Sequence, residues 1–154
     1  MTIVPYQRPG IQAYARLLAW SFRHFTGQAL VPDAPRFEEA MWRAAQPIVS
    51  HGTQADPIFR YANARALELW EMDWDSFTRL PSRLSAESGG AVQTDRNAIL
   101  KSVADKGWAD GYAGIRVSRT GRRFEIRNTV LWNVVDEQGK CHGQAALIRN
   151  WRFL

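Results

Sequence analysis

The sequence predicts an α+β domain: a five-stranded antiparallel sheet with helices on one face and an N-terminal helical extension. Three observations carry this expectation. Apolar residues recur at helical spacing near the N-terminus and again through the middle of the chain. Two short runs with strand character, "IVSHG" and "IFRYA", precede the middle helices. The last third then switches to alternating apolar and polar residues interrupted by turn sequences. A chain of 154 residues suits one domain with a real core.

The first helix is expected from Gly10 to Phe25, with Tyr14, Leu17, Leu18, Phe22 and Phe25 at helical spacing and Gly27 as its stop. With Trp20 its apolar surface extends over more than one face, which suits packing against a second copy and predicts a homodimer. A connector with Pro32 and Pro35 leads to a second helix. Asp33 is its expected cap, Pro35 its first turn, and Phe37, Met41 and Trp42 its stripe, with Pro47 ending it. Residues 1–46 thus read as the helical extension and 47–154 as the core, together one structural domain. After the strands, Asn63 is placed to cap "ARALELWEM", whose inner side is Leu67 and Trp70, and Asp73 to cap "WDSFTRL". Ser82 to Thr94 reads as a loop. Asp95 is the expected cap of "RNAILKSVADKG", with Ile99, Leu100 and Val103 inward and Gly107 as terminator. In the last third, "RTGR" and "DEQG" are hairpin turns; Ile115 and Val117 are answered by Phe124 and Ile126, then Val130, Trp132 and Val134 alternate. "GQAALIRNW" closes the chain as a strand rich in small residues.

Composition narrows the function. The apolar fraction is 45% and the charged fraction 23%, the balance of a soluble globular protein. No apolar run approaches the roughly 18 residues a membrane span needs, and "MTIVPYQRPG" is not a secretory signal. Cys141 is the sole cysteine, which excludes an intrachain disulfide and a thiolate zinc cluster; a reducing cytoplasm is the simplest location. The net charge is +5, yet the arginines are scattered from Arg8 to Arg152 and read as a solvated face rather than a nucleic-acid site. His24 and His142 lack metal-ligand spacing, so no metal site is expected. No nucleophile elbow, phosphate loop or dinucleotide fingerprint occurs, and the reading is non-catalytic. The acids at Glu68, Glu71, Asp73 and Asp75 are explained by a helix start. Cys141, between Lys140 and His142, and His51 in its bend read as structural.

The stretch "YANARALELWEMDWDSF" resembles the PAS pattern of strand, Asn, alanine-rich helix and acidic helix start, with Glu71 where such chains often have glycine. Together with "SHGTQADPIFR", "GYAGIRVSRTGRRFEI", "WNVVDEQG" and "GQAAL", it is similar to the MEKHLA family over about Leu17 to Leu154. That family includes small bacterial proteins and the C-terminal region of class III homeodomain–leucine zipper plant regulators. This chain resembles the stand-alone bacterial type, with no homeodomain or zipper pattern before the domain. The resemblance implies a PAS-like sensory or interaction domain and supplies no ligand. It places a candidate ligand wall between sheet and helices at Phe59, Tyr61, Leu67, Trp70, Ile99, Val103, Ile115, Phe124, Val130, Trp132 and Ala146. These residues either form a filled core or surround a small apolar or aromatic ligand, and the small side chains of the last strand leave both open. The cofactor is unassigned. A flavin–cysteinyl type is disfavoured because "RLPSRLSAE" has no cysteine, and a helix-histidine haem type because "DRNAILKSVADKG" has no histidine, although His51 is a competent axial ligand. The expected function is regulatory binding of a small molecule; the alternative is a protein–protein interaction module, and an enzyme is a distant third.

Overall fold

The first apolar stripe winds into α1 (Pro9–Thr26), which ends where the Gly27 N–H donates to the Arg23 carbonyl. The structure, a computed structural model, describes residues 4–86 and 90–154, with the side chains of residues 90–92 and 94 left aside. The second helix, α2 (Phe37–Trp42), starts later than its sequence suggests: Arg36 precedes it, and no side chain caps it. A residue before proline is pushed to extended geometry, so Ala34–Pro35 separates Asp33 from the helix start.

Two short strands follow, β1 (Ile48–His51) and β2 (Phe59–Ala62). Asn63 then caps α3 (Ala64–Trp70) and Asp73 caps α4 (Trp74–Phe77), accepting from the N–H groups of Ala66 and Ser76 as the sequence predicts. Asn63 does more than cap. Fully buried, its Oδ1 also accepts from Ile48 N–H, and its Nδ2 donates to the Met41 and Gln46 carbonyls. Between the two caps, Glu71 holds the left-handed conformation (φ 57°) and accepts from the hydroxyls of Ser118 and Thr120. A carboxylate thereby ties the α3 corner to a distant turn at a backbone position that favours glycine.

Of the loop expected from Ser82 to Thr94, residues 87–89 lie outside the described residues. Ser82–Ser85 form a short 3-10 turn of the kind such a loop holds, whereas α5 runs over Gly90–Lys106 and so begins before the expected loop ends. Asp95 is therefore interior to α5 and caps nothing. Arg96 lies on the inward stripe with Ile99 and Val103, at the i, i+3, i+7 spacing of one helix face. Gly107 ends α5 by donating to the Val103 carbonyl.

The remaining strands are β3 (Trp108–Val117), β4 (Arg123–Val135), β5 (Cys141–Leu147) and β6 (Asn150–Phe153). The antiparallel sheet runs β2-β1-β5-β4-β3, with β6 also paired to β4, giving six strands where five were expected. The expected last strand is divided because Ile148 turns out of the ladder to donate to the Pro47 carbonyl. Asn128, at φ 49°, puts an extra residue into β4 where its neighbour changes from β5 to β6. This bulge reverses which face each side chain takes. Phe124 and Ile126 face α3–α5, whereas Val130, Trp132 and Val134 face α1.

The two faces are covered by different layers. Against one lie α1 and α2, with Tyr14, Leu18, Phe22 and Met41 packed on Ile48, Tyr61 and Trp132. Against the other lie α3, α4 and α5, with Trp70, Phe77 and Val103 packed on Val49, Phe59 and Phe124. The helical extension is what covers the second face. Trp20 is left outside, 39% exposed and stacked on His24 at 5.2 Å between ring centroids.

Candidate functional site

Between the sheet and α5 lies a semi-enclosed cavity of about 50 Å³, with an apolar wall that includes Val49, Phe59, Trp70, Ile99, Val103 and Ala146. A wider, shallower groove of about 640 Å³ adjoins it, between the 52–57 bend and α5; His51, Arg96, Leu100 and Gln144 belong to both. Those four residues form the threshold between groove and cavity.

Of the wall read from the sequence, the structure brings Phe59, Trp70, Ile99, Val103 and Ala146 to the cavity. Phe124 stands behind them in the same buried cluster, edge-on to Trp70 at 5.2 Å, and Leu67 packs on that cluster's rim. Tyr61, Val130 and Trp132 lie on the opposite face of the sheet, beneath α1. For Val130 and Trp132 the cause is the Asn128 bulge; for Tyr61 it is a second irregularity, in the β1–β2 pairing, where Ser50 stands opposite Tyr61 and His51 opposite Phe59, so that Arg60 is an extra residue and reverses the facing. Trp132 is fixed there by Nε1 donating to the Leu18 carbonyl at 3.2 Å and by an edge contact with Phe22 at 4.9 Å.

Ile115 is also displaced. The connection over 118–122 pairs Val117 with Arg123, so Phe124 stands opposite Arg116 and Ile126 opposite Gly114, while Ile115 shares its face with Glu125. The expected matching of Ile115 and Val117 with Phe124 and Ile126 is thus off by one residue. The residues that reach the cavity from β3 are Tyr112 and Arg116.

The polar groups at the cavity were not read from the sequence. Arg116 is 8% exposed; its Nη1 donates to the Ile115 carbonyl at 3.0 Å and its Nη2 to the Tyr112 hydroxyl at 3.2 Å. Gly114 makes room for this pair, since a Cβ there would lie 2.7 Å from the Tyr112 hydroxyl and 2.9 Å from Arg116 Nη1. Arg96 is 7% exposed and donates from Nη2 to Ser82 Oγ at 2.8 Å. Burial, then the charge of Arg116, pushes its pKa down to about 10. Ser82 is held in turn by its backbone bond to the Pro57 carbonyl, and Ala86 pairs with Arg116 across an isolated bridge.

His51 completes the threshold. Its Nδ1 lies 3.0 Å from the Gly52 carbonyl, which can only accept, so Nδ1 carries the proton and Nε2 presents a lone pair. That Nε2 is buried without a hydrogen-bond partner among the described residues. Burial, as the largest influence, lowers the imidazole pKa and keeps the ring neutral. The strand approach that fixes His51 depends on Gly143, where a Cβ would sit 1.9 Å from the His51 carbonyl oxygen. One signal for the arginines was present in the sequence: Arg96 precedes Ile99 by three residues on one helical stripe. Arg116 had no comparable signal, because its face depends on the length of the 118–122 connection.

Among the described residues, no group of three or more His, Cys, Asp or Glu side chains is placed to hold a metal ion. Cys141 is exposed at the groove, its thiol 3.3 Å from the Gly143 carbonyl. Among the described residues no helix is long and apolar enough to cross a membrane.

Comparison with known proteins adds the following. The MEKHLA domain model matches residues 12–153. The homeobox-leucine zipper protein HOX32 of Oryza sativa subsp. indica is 26% identical over 97% of this chain, and ATHB-15 of Arabidopsis thaliana is 23% identical over 97%. In each case this chain spans 18% of the relative's length. Among solved structures, the PAS domain of a Colwellia psychrerythraea protein superposes with a TM-score of 0.60 at 15% identity, over 75% of this chain and 92% of that one. A fungal LOV domain photoreceptor superposes with a TM-score of 0.62 at 13% identity, over 97% and 96% of the two chains. The PAS-like fold is thereby established.

Proposed function

This chain belongs to the MEKHLA domain family, and from that premise we propose that it is a non-catalytic sensory or regulatory domain that binds a small molecule in the cavity between its sheet and α5. The observation that carries the reading is His51 Nε2, a buried acceptor without a partner among the described residues, on a residue that lines a cavity with a largely apolar wall. A buried polar atom without a partner destabilises a fold by about 1–3 kcal/mol, so a group that supplies a donor there stabilises the bound form. The ligand contacts under this reading are Phe59, Trp70, Ile99, Val103 and Ala146, with Phe124 and Leu67 as their support.

The same cavity bears on the cofactors of similarly folded proteins. Ligand pockets for drug-sized groups span about 300–1,000 Å³. The cavity here is about 50 Å³, so neither a flavin ring nor a haem fits it, although His51 Nε2 is chemically able to ligate iron. The turn over Ser82–Ser85 carries serines and no cysteine. The proposal therefore commits to a smaller ligand.

As further parts of this proposal, residues 1–46 act as an extension of the 47–154 core within one structural domain, and the protein works in a bacterial cytoplasm. A second reading, a dimerisation or regulatory-partner module, is favoured by one feature: Trp20 stays exposed on the outer side of α1. Neither nucleic acid nor membrane has a part in either reading.

Native mass spectrometry of freshly purified protein, with thermal melting across a fragment library, tests the proposal. The expected result is a bound small mass or a stabilising fragment, lost when Ala146→Phe fills the cavity of a still-folded chain. No bound mass and no stabilising fragment, with a two-chain mass, leaves the interaction module.

A further inference from the structure

Arg96 and Arg116 place two positive charges beside one cavity in a domain where several other arginines have an obvious acid. Asp56 meets Arg83 at 3.1 Å, Asp110 meets Arg149 at 3.2 Å, and Glu125 meets both Arg127 and Arg152. Arg96 and Arg116, the two buried ones, instead bond only neutral partners among the described residues: a serine hydroxyl, a tyrosine hydroxyl and a backbone carbonyl. Among the described residues no aspartate or glutamate lines the cavity. Buried charges are ordinarily paired, because desolvating an ion is expensive unless an opposite charge and hydrogen bonds compensate. Here the two like charges also repel, and the charge of Arg116 disfavours protonation of Arg96.

We infer that the cavity selects a small monocarboxylate with an apolar body, its carboxylate held by Arg96 and Arg116 and its body against Val49, Phe59, Trp70 and Val103. This deepens the ligand-binding reading above and rests on it: the carboxylate leaves the His51 Nε2 lone pair unmet, so the body carries one hydroxyl that donates to it. Guanidinium N–H groups are disposed to meet two carboxylate oxygens at once, and with five donors on each arginine the described hydrogen bonds leave several free. The apolar wall leaves a strongly hydrated ion such as phosphate poorly matched, and the volume of about 50 Å³ limits the body to a short chain of a few carbons, since a benzene ring needs a cavity of about 150 Å³. The mouth suits entry of such a ligand: Arg96 belongs to both groove and cavity, so an anion meets it before the apolar body passes inward. Gly114 has a defined part, since any side chain there would push on the Tyr112–Arg116 pair.

The test compares acids with their neutral isosteres on the full, unmodified chain: lactate against lactamide and propionate against propionamide, by calorimetric titration and thermal melting, with inorganic phosphate as a third probe. The acids are expected to bind at least tenfold more tightly than the amides and to shift the Arg96 and Arg116 side-chain Nε–H resonances. Arg96→Gln and Arg116→Gln should each weaken the acids about tenfold or more while leaving amide binding unchanged. Amides that bind as tightly as acids overturn the carboxylate assignment and leave the cavity reading intact. Phosphate that competes as well as propionate overturns the apolar-body part. Acid binding without a shift at either arginine resonance places the acid elsewhere and overturns the site. If no probe binds, and native mass spectrometry shows no bound mass, both the inference and the ligand-binding reading fail. The acid–amide comparison needs no variant, so it decides even if an arginine variant does not fold.

Discussion

On the α1 side of the sheet, Trp132 meets Phe22 edge to face at 4.9 Å and its indole N–H is satisfied by a helix carbonyl. On the α5 side, Trp70 meets Phe124 in the same manner at 5.2 Å, yet polar groups nearby have no matching charge or no partner at all. The α1 side also closes its polar groups in a chain. Ser50 Oγ donates to the Gln144 carbonyl at 2.8 Å and accepts from the Tyr14 hydroxyl at 2.8 Å, with the Arg60 guanidinium stacked 4.0 Å from the Tyr14 ring centroid. Ser21 Oγ accepts the Val135 N–H at 2.8 Å and so fastens α1 to the end of β4. Aromatic content is therefore a poor guide to which face is core and which is site. What separates them is charge: among the described residues the α1 side leaves only the neutral Tyr61 hydroxyl buried without a partner, whereas the α5 side buries two guanidinium groups.

The largest test of that contrast removes one side. Deleting residues 1–27 takes away Tyr14, Leu18 and Phe22 and bares Trp132. At about 2 kcal/mol for each large side chain that loses its cover, the loss is roughly 8 kcal/mol, comparable with a domain's whole stability. We expect no cooperative urea transition and no near-ultraviolet aromatic dichroism. A truncated chain that melts cooperatively would make α1 an accessory layer rather than half the core.

Single residues come next. Trp132→Ala should lower stability by about 3–5 kcal/mol. Asn63→Ala, at the point where the α2 connection meets α3, removes four buried hydrogen bonds and should cost about 3 kcal/mol, well beyond an ordinary cap. Asp73→Ala, an exposed cap, should cost only about 1 kcal/mol. Equal urea midpoints for the Asn63 and Asp73 variants would reduce Asn63 to a helix cap.

A sharper comparison uses adjacent residues of β5. Ala145 pairs with Trp132 in the closed α1 layer, and Ala146 faces the cavity layer. Ala145→Val should overpack and cost about 1–3 kcal/mol, whereas Ala146→Val should change stability by less than about 1 kcal/mol. Chemical denaturation of the two variants decides; the reverse order would mean that the cavity is the tighter side.

The smallest effect lies at the surface. Hydrogen bonds from Ser118, then Thr120, hold the Glu71 carboxyl below its ordinary value near 4.5. A lowered carboxylate pKa adds stability above the unfolded value and loses it as pH falls through the folded one. The stability gap between the parent chain and Glu71→Gln should therefore be full at neutral pH and close as pH falls below about 4.5. A gap unchanged at pH 3 would show that the carboxylate charge has no part in the clamp.

Local features were legible. The Asn63 and Asp73 caps, the Gly27 and Gly107 stops and the hairpin turns each depend on a few neighbouring residues whose chemistry leaves little choice. Five of the proposed wall residues reached the cavity because strand alternation and helical spacing hold over short spans. Tyr61, Val130, Trp132 and Ile115 did not. Alternation fixes relative facing within a run, and a bulge at Asn128 or one residue in the 118–122 connection inverts everything beyond it. The cavity arginines were missed for a related reason: charge was read as solvated, although Arg96 shares the helical stripe of Ile99 and Val103, and the face of Arg116 depends on the 118–122 connection.

By itself the sequence determined the element types, most of their ends, the PAS-like class and the family, because these rest on local propensity, periodicity and motif order. Tertiary structure alone decided that the helical extension covers one sheet face, that the chain's end adds a sixth strand, and that Arg96 and Arg116 meet at one cavity without an acid. Those outcomes depend on register and on contacts between residues far apart in the chain. Such pairings are set by the competition of whole layers for burial, which no local window of residues contains.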